Sequence, residues 1–437
     1  MSQQQHKISL FTAILMNINI MVGSGILFGP GIIAAVSGNA SFLTWLMVAF
    51  IFLPIVLCTV ELSRMFPGAG GFYAYAKEGL GMRAGYWAGW IYIVGYTFAA
   101  AMETLALRKT LIEAFNLNWP WLTQNHIYFN LLAVIIFTAL NFLSLRILSG
   151  ILNSITIAKI IPLLVLIALI PFVFNYNFTI TGGELSALPL SLSMAIFGYF
   201  GFEYCSSISH HIENSERNAP LAILIGFFVT ALLYTLFHFG ALNIMGVEEL
   251  VRQGAPAFAE FITLPIPFLK TGLSILIPAA SAITLFGAAN GVLNSNATML
   301  HAMAEKNVFY KSRTLTQLTT AHRPWIMILI QACAIFAITT GSSLITGDLN
   351  RAILIVSNLC IIGVFTSFTL PFASLIVIQR RNKQHKHIAL TVLGLIAVAG
   401  LALYSMYSLA PTMHQRLVLS LPLLLLFALG AVIAKRN

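Results

Sequence analysis

Long apolar runs separated by short polar turns fill this chain from residue 9 almost to its end. A run that crosses a bilayer as a helix needs about 20 residues. Twelve such runs stand near 9–36, 41–63, 85–112, 127–146, 150–174, 187–211, 219–246, 270–303, 324–341, 350–379, 387–409 and 414–434. The pattern predicts an all-α integral membrane protein with twelve transmembrane helices and no soluble domain. Residues 1–8 are polar and the first apolar run continues as a full span, so they read as a tail rather than a cleavable signal.

Two spans are interrupted. The first contains Met21-Val-Gly-Ser-Gly-Ile-Leu-Phe-Gly-Pro-Gly31, with Gly23, Ser24 and Gly25 near mid-span. In hydrocarbon every backbone N–H and C=O must find a partner inside the protein, so a broken helix is tolerated only where it is buried or lines a cavity. A break here frees N–H groups at the positive end of a half-helix, which suits a carboxylate. Glycines in membrane helices also serve close helix packing, and a lone Gly-x-Gly leaves both readings open. A second break tips the balance. In span 6, Phe197-Gly-Tyr-Phe-Gly-Phe-Glu203 ends a half-helix near Gly198–Gly201, whose carbonyls would face an ammonium group or cation, with Glu203 just beyond. Five spans separate the breaks, so spans 1–5 (9–174) and 6–10 (187–379) form two halves of opposite orientation, the inverted arrangement used for alternating access. Spans 11 and 12 (387–434) have little polar content and read as scaffold or oligomer contacts.

Composition agrees: 59% of residues are hydrophobic and 8% charged, against about 25% charged in soluble chains. The net charge of +10 is no nucleic-acid footprint, because the basic residues fall into short loops. With residues 1–8 inside, sixteen Lys and Arg lie on the inner face, six on the outer face and Lys159 within a span, which accounts for all 23 and follows the positive-inside rule. Cys58, Cys205, Cys333 and Cys360 all fall inside spans without metal-ligand or paired spacing, and read as buried thiols.

A few polar residues inside the spans remain candidates for chemistry. Lys159 lies about nine residues, or ~13 Å, inside span 5 from its inner end at 150. A Lys at that depth is a functional candidate, a proton carrier whose affinity burial tunes; the bland alternative is snorkelling. Glu103, in the outer part of span 3, reads either as a proton-linked acid or, with Arg108 and Lys109 near it, as part of an interface ion network, and the network is the expectation. Tyr92 and Tyr96, one turn apart, face either a cavity or the core. Asn290, Asn294, Ser295 and Asn296 either cross-link helices or line a polar path, as do Ser357 and Asn358 in span 10. His238 reads as a hydrogen-bonded structural residue; His210-His211 could sense pH but, lacking a third ligand for a metal, read as solvated loop residues. Glu203 stands as the one acid next to a break. The outer segment 243–269 is expected to form short interfacial helices.

The chain resembles the amino acid–polyamine–organocation family of secondary transporters. The matching residues are Val22-Gly23-Ser24-Gly25-Ile26 with Pro30, Glu61-Leu62, Phe66-Pro67 through Tyr75, Phe200-Gly201-Phe202-Glu203, Asn214 and Pro220, and more weakly His301 through Asn307. The resemblance implies the leucine-transporter-type five-plus-five inverted repeat with two additional C-terminal helices. It also implies an amino acid held between the breaks: Ile20, Gly23, Ser24 and Gly25 around its carboxylate, and Phe197, Gly198 and Phe200 around its ammonium group and as an aromatic gate. Tyr96, Glu203 and Asn290 complete the expected substrate site. Lys159 resembles the span 5 lysine that replaces a sodium ion in proton-coupled relatives. The chain departs from the family pattern at His211, where an acid is usual, at Ser215, where proline is usual, and at His301, where arginine is frequent.

The leading expectation is a secondary transporter of neutral amino acids coupled to protons; the alternatives are an exchanger for cationic amino acids or polyamines, and a sensor that binds without transport. A membrane enzyme would need a converging set of catalytic side chains, and only His210-His211 hints at one. No cofactor and no nucleic acid is expected. The expected partners are an amino acid, a proton and the lipid bilayer. Short tails and compact size suggest a bacterial inner membrane by analogy, with both termini cytoplasmic.

Overall fold

The computed structural model describes residues 7–68, 70–113, 115, 117, 119–123, 126–173, 178–255, 257, 267–409 and 412–434. Among the described residues it is helical throughout, with no strand beyond two isolated bridges. Among the described residues nine helical stretches are long and apolar enough to cross a membrane, and Leu10–Met21 and His126–Phe142 are shorter apolar helices.

The first apolar run is two helices, α1 (Leu10–Met21) and α2 (Ser24–Ser37), parted by Val22 and Gly23 in non-helical backbone. Ser9 caps α1, its hydroxyl accepting from the Thr12 N–H at 3.3 Å. Gly38 turns the chain with φ at 52° into a short 3-10 segment and then α3 (Leu43–Met65), a conformation that favours glycine. Beyond Pro67, left-handed Gly70 and Gly81 bracket α4 (Gly71–Leu80). The helix α5 (Met82–Glu113) runs through the middle of the bundle against α4 and is buried over most of Gly85–Arg108. Then come α6 (Pro120–Thr123), α7 (His126–Phe142) and α8 (Leu145–Val173). Because α8 starts at Leu145, Lys159 lies 14 residues, about 21 Å, from that end, deeper than the sequence reading put it.

A capping box between Thr181 and Glu184 opens α9 (Gly182–Ala187). The sixth apolar run is again divided, into α10 (Leu192–Gly198) and α11 (Tyr204–Ser207). In α12 (Ser215–Gln253), Gly246 is non-helical (φ 76°, ψ 166°), so the apolar part ends there and residues 247–253 form a separate piece. The chain closes with α13 (Pro267–Glu305), α14 (Ser312–Leu315), α15 (Trp325–Thr346), α16 (Leu349–Arg381), α17 (His385–Ser408) and α18 (Met413–Ile433). Both α13 and α16 pack along α5, while α17 and α18 flank the bundle and expose Leu, Ile and Val side chains. Cys333 on α15 is exposed, contrary to expectation, whereas Cys58, Cys205 and Cys360 are buried. Residues 258–266 of the outer segment, Ala69 of the glycine-rich turn, and Lys435 and Arg436 lie outside the described residues.

Candidate functional site

The first break leaves unpaired carbonyls at the end of α1 and unpaired amides at the start of α2. Two buried ionisable side chains meet them. From α8, the Lys159 ammonium donates to the carbonyls of Asn19 at 2.5 Å and Val22 at 2.6 Å. From α5, the Glu103 carboxylate accepts from the Ser24 N–H at 3.0 and 3.2 Å and from the Ser24 hydroxyl at 2.7 Å. A cation thus lies at the negative end of one half-helix and an anion at the positive end of the other, the arrangement both dipoles favour. Gly23 is part of this geometry, because a Cβ there would stand 2.5 Å from Glu103 Oε1.

The second break is a turn from Tyr199 to Glu203 between α10 and α11. Gly201 has φ at 95°, and the Ile20 side chain of α1 fills the space where its Cβ would point. The Gly201 N–H donates to the Tyr96 hydroxyl at 2.9 Å, and that hydroxyl donates in turn to Glu203 Oε1 in a short hydrogen bond. Glu203 is fully buried and its Oε2 has no hydrogen-bond partner. Tyr92 stacks on Tyr96 with centroids 4.5 Å apart. Phe200 packs with Phe197, Phe52 and Phe365.

The two breaks touch. Gly25 of α2 lies directly on Gly198 of α10, with no room for a Cβ between them. The hydroxyl of Tyr234, from α12, reaches Met21 O at 2.5 Å and Gly198 O at 3.1 Å, so one phenol spans both half-helix ends. The structure thereby brings Ile20, Gly23, Ser24, Gly25, Tyr96, Gly198, Glu203 and Lys159 to one buried locus, with Phe197 and Phe200 beside it. Asn290 is not joined to either break: its Oδ1 accepts from Asn141 on α7 at 2.6 Å, and its buried Nδ2 has no hydrogen-bond partner.

Access differs on the two sides. Toward the end that carries Ile8, the Ile8 backbone pairs with residues 211 and 213, Ser207 meets Ser295 at 2.7 Å, and the Ser209 hydroxyl donates to Gly68 O at 2.7 Å. Toward the other end a cavity lies between α2, α10 and α16, lined by Ile32, Val36, Met194, Phe197, Leu354 and Ser357.

Several expectations are corrected. Glu103 makes no ion pair with Arg108 or Lys109. Arg108 donates to the carbonyls of Leu122 and Thr123, and Lys109 meets Asn350 and Glu113. Glu203 is therefore not the one acid at a break. His210 and His211 are half-buried with rings 3.8 Å apart rather than solvated. His238, by contrast, is the hydrogen-bonded residue expected, bonded at both nitrogens, by Trp45 at 2.9 Å and Ser41 at 3.1 Å. Arg323, one of the loop cations in the sequence reading, is 3% exposed; it donates to Asn141 O at 2.9 Å and to Asn294, whose amide donates to the Tyr204 hydroxyl at 2.9 Å. Tyr234 escaped the sequence reading altogether, while Glu103 and Arg323 were noticed but given the wrong surroundings. The cost of an acid inside span 3 was the signal that marked Glu103.

The comparisons with known proteins address the same stretch of chain. The amino acid permease family model matches residues 8–433. The chain is 24% identical over 386 residues to the serine/threonine exchanger SteT of Bacillus subtilis, covering 87% of this chain and 85% of that one. It is also similar to two further proteins of that organism, the glutamate/serine transporter AimA (24% identical, 71% of this chain) and an aspartate-proton symporter (26%, 70%). Those two matches span only 61% and 62% of the relatives' lengths. With a family model spanning nearly all the described residues, both broken helices included, the chain belongs to the amino acid permease family.

Proposed function

We propose that this protein is a secondary transporter of neutral amino acids, coupled to protons and working by alternating access around the two breaks. One observation carries the reading: two interrupted helices meet at Gly25 and Gly198 in the interior, with a buried cation and two buried acids against their ends. In this reading α1–α2 and α10–α11 each count as one crossing. With α3, α5, α7, α8, α12, α13 and α15–α18 they make twelve crossings, ten of them in two inverted repeats of five. In this reading the excess of basic residues in alternate loops puts both termini on the cytoplasmic side of a bacterial inner membrane. Ile20, Gly23, Ser24 and Gly25 then hold the cargo carboxylate. Gly198, Phe197 and Phe200 receive its ammonium group, Tyr96 and Glu203 form the wall beside them, and Asn290 lies further out on α13. Lys159 carries the coupling proton. An enzyme is disfavoured, since the family matched is one of permeases.

A second reading, exchange of cationic amino acids or polyamines, is favoured by the two buried acids at the breaks. Uptake of a panel of radiolabelled amino acids and polyamines into proteoliposomes, with and without an inward proton gradient, separates the two. Gradient-driven uptake of neutral amino acids that Lys159→Ala abolishes is the expected result. Uptake that needs only unlabelled substrate inside makes the protein an exchanger, and no uptake of any amino acid overturns the main reading.

A further inference from the structure

The positive end of α2 is already occupied. The Glu103 carboxylate takes the Ser24 amide and hydroxyl with three hydrogen bonds, at the place where a cargo carboxylate would bind. We propose that Glu103 is a tethered competitor for that place, so that a carboxylate cargo binds only when Glu103 takes up a proton or turns away from Ser24. The inference rests on the transporter reading for its cargo but not for its geometry.

Three observations make Glu103 an occupant and not a chance neighbour. Its carboxylate is buried, yet its hydrogen bonds go to a helix end and not to the cations on its own helix, Arg108 and Lys109, which have other partners. Ser24 offers it both an amide and a hydroxyl, the two donors a free carboxylate would use. Gly23 leaves the space the carboxylate fills, and any larger residue would strike Glu103 Oε1. Two carboxylates cannot share one such place while both are ionised. A cargo carboxylate arriving at Ser24 therefore draws one proton onto Glu103 or expels its side chain. The charged and titratable groups that face Glu103 are Lys159 on α8, Tyr234 on α12 and Cys360 on α16. Lys159 is held by Asn19 and Val22 carbonyls and Tyr234 by Met21 and Gly198 carbonyls, so neither is free to follow Glu103 when it leaves.

The test uses purified full-length protein and two variants. Glu103→Ala empties the place, and formate is the probe. Its melting temperature rises with formate at constant ionic strength, whereas wild type does not respond. Glu103→Gln keeps the shape and removes the charge. Binding of L-serine to wild type weakens by roughly tenfold per pH unit where a proton must be taken up, while Glu103→Gln binds L-serine tightly with a flat profile. Ethanolamine, the same molecule without its carboxylate, gains nothing from the substitution. Formate stabilisation of Glu103→Ala without L-serine binding to any form would sink the transporter reading for this cargo and leave the competitor standing. No formate response together with an unchanged L-serine profile in Glu103→Gln reduces Glu103 to a structural cap and overturns the proposal. So does ethanolamine binding that Glu103→Gln abolishes, which would make Glu103 part of an ammonium site.

Discussion

The contact between Gly25 and Gly198 can be tested by adding a single methyl group. In Gly25→Ala the new Cβ would stand 2.5 Å from the Gly198 Cα and 3.1 Å from its nitrogen. Both neighbours are backbone, so no side chain can rotate away, and α2 and α10 must separate by roughly 1 Å to restore ordinary contact. Overpacking of this kind costs about 1–3 kcal/mol, which is about 5- to 150-fold in an equilibrium. The cost falls on whichever conformation holds the two breaks together. The expected result is a lower melting temperature and at least about a fivefold loss of initial uptake rate in proteoliposomes. Gly150→Ala is the control, since a Cβ on Gly150 meets nothing within 4 Å. Should Gly25→Ala match that control in both melting and uptake, the contact between the breaks would have no energetic meaning, and with it would go the main argument for the site.

Three further outcomes follow from the same geometry. Lys159→Met keeps the stem and removes the ammonium, leaving the Asn19 and Val22 carbonyls buried and unpaired at about 1–3 kcal/mol each; scintillation proximity binding at pH 6 and pH 8 is expected to show weakened binding with no remaining proton dependence. Arg323→Met releases Asn141 and Asn294 together, so α7, α13 and α11 lose their common tie; thiol labelling of cysteines placed at Ser207 is expected to speed up, and an unchanged rate would make Arg323 irrelevant to closure at that end. The Glu184 carboxyl is raised by burial, but hydrogen bonds from the Thr181 and Asn39 amides and the Thr181 hydroxyl outweigh this and hold it below the usual carboxylate range. Its contribution is therefore present above the unfolded-state value and lost as pH falls through the depressed folded-state one. Thr181→Ala is expected to cost the cap about 0.5–2 kcal/mol, read as faster amide exchange over residues 181–187.

The apolar runs were legible because hydrocarbon sets a minimum helix length, and the helix ends observed at 65, 246 and 346 sit close to where polar residues or glycine interrupt those runs. Both breaks were legible for a related reason: glycines at mid-span in a medium without water demand an explanation. The partners of the breaks were not. The helix α5 is buried nearly all round, so it has no apolar stripe from which the direction of Glu103 could be read. An ion network with Arg108 and Lys109 was the natural inference from sequence distance, and tertiary packing sent all three elsewhere. Tyr234 looks like any aromatic residue in an apolar helix until α12 is laid beside both breaks. Cys333 illustrates another limit, because lipid and protein interior are equally apolar and hydropathy does not say which of them a residue faces.

At the first break the protein supplies its own ligands. Lys159 serves the carbonyl end, Glu103 the amide end, and Tyr234 links that break to the second through one hydroxyl with a single proton for two carbonyls. A cargo with both a carboxylate and an ammonium group could replace Glu103 at Ser24 and compete for Gly198 O, where Tyr234 is the longer and weaker of its two contacts. The side chains that would have to yield, Glu103 on α5 and Tyr234 on α12, come from two of the helices that surround α1–α2 and α10–α11. Displacing them therefore loosens the broken helices from the rest of the bundle as the cargo ties the two breaks to each other. That is the physical requirement for a site whose occupation changes which end is open. Here backbone pairing ties the Ile8 end, and Phe197 lines a cavity between α2, α10 and α16; under the proposed transport a cargo would arrive over Phe197 and leave only once the pairing of Ile8 with residues 211 and 213 had parted.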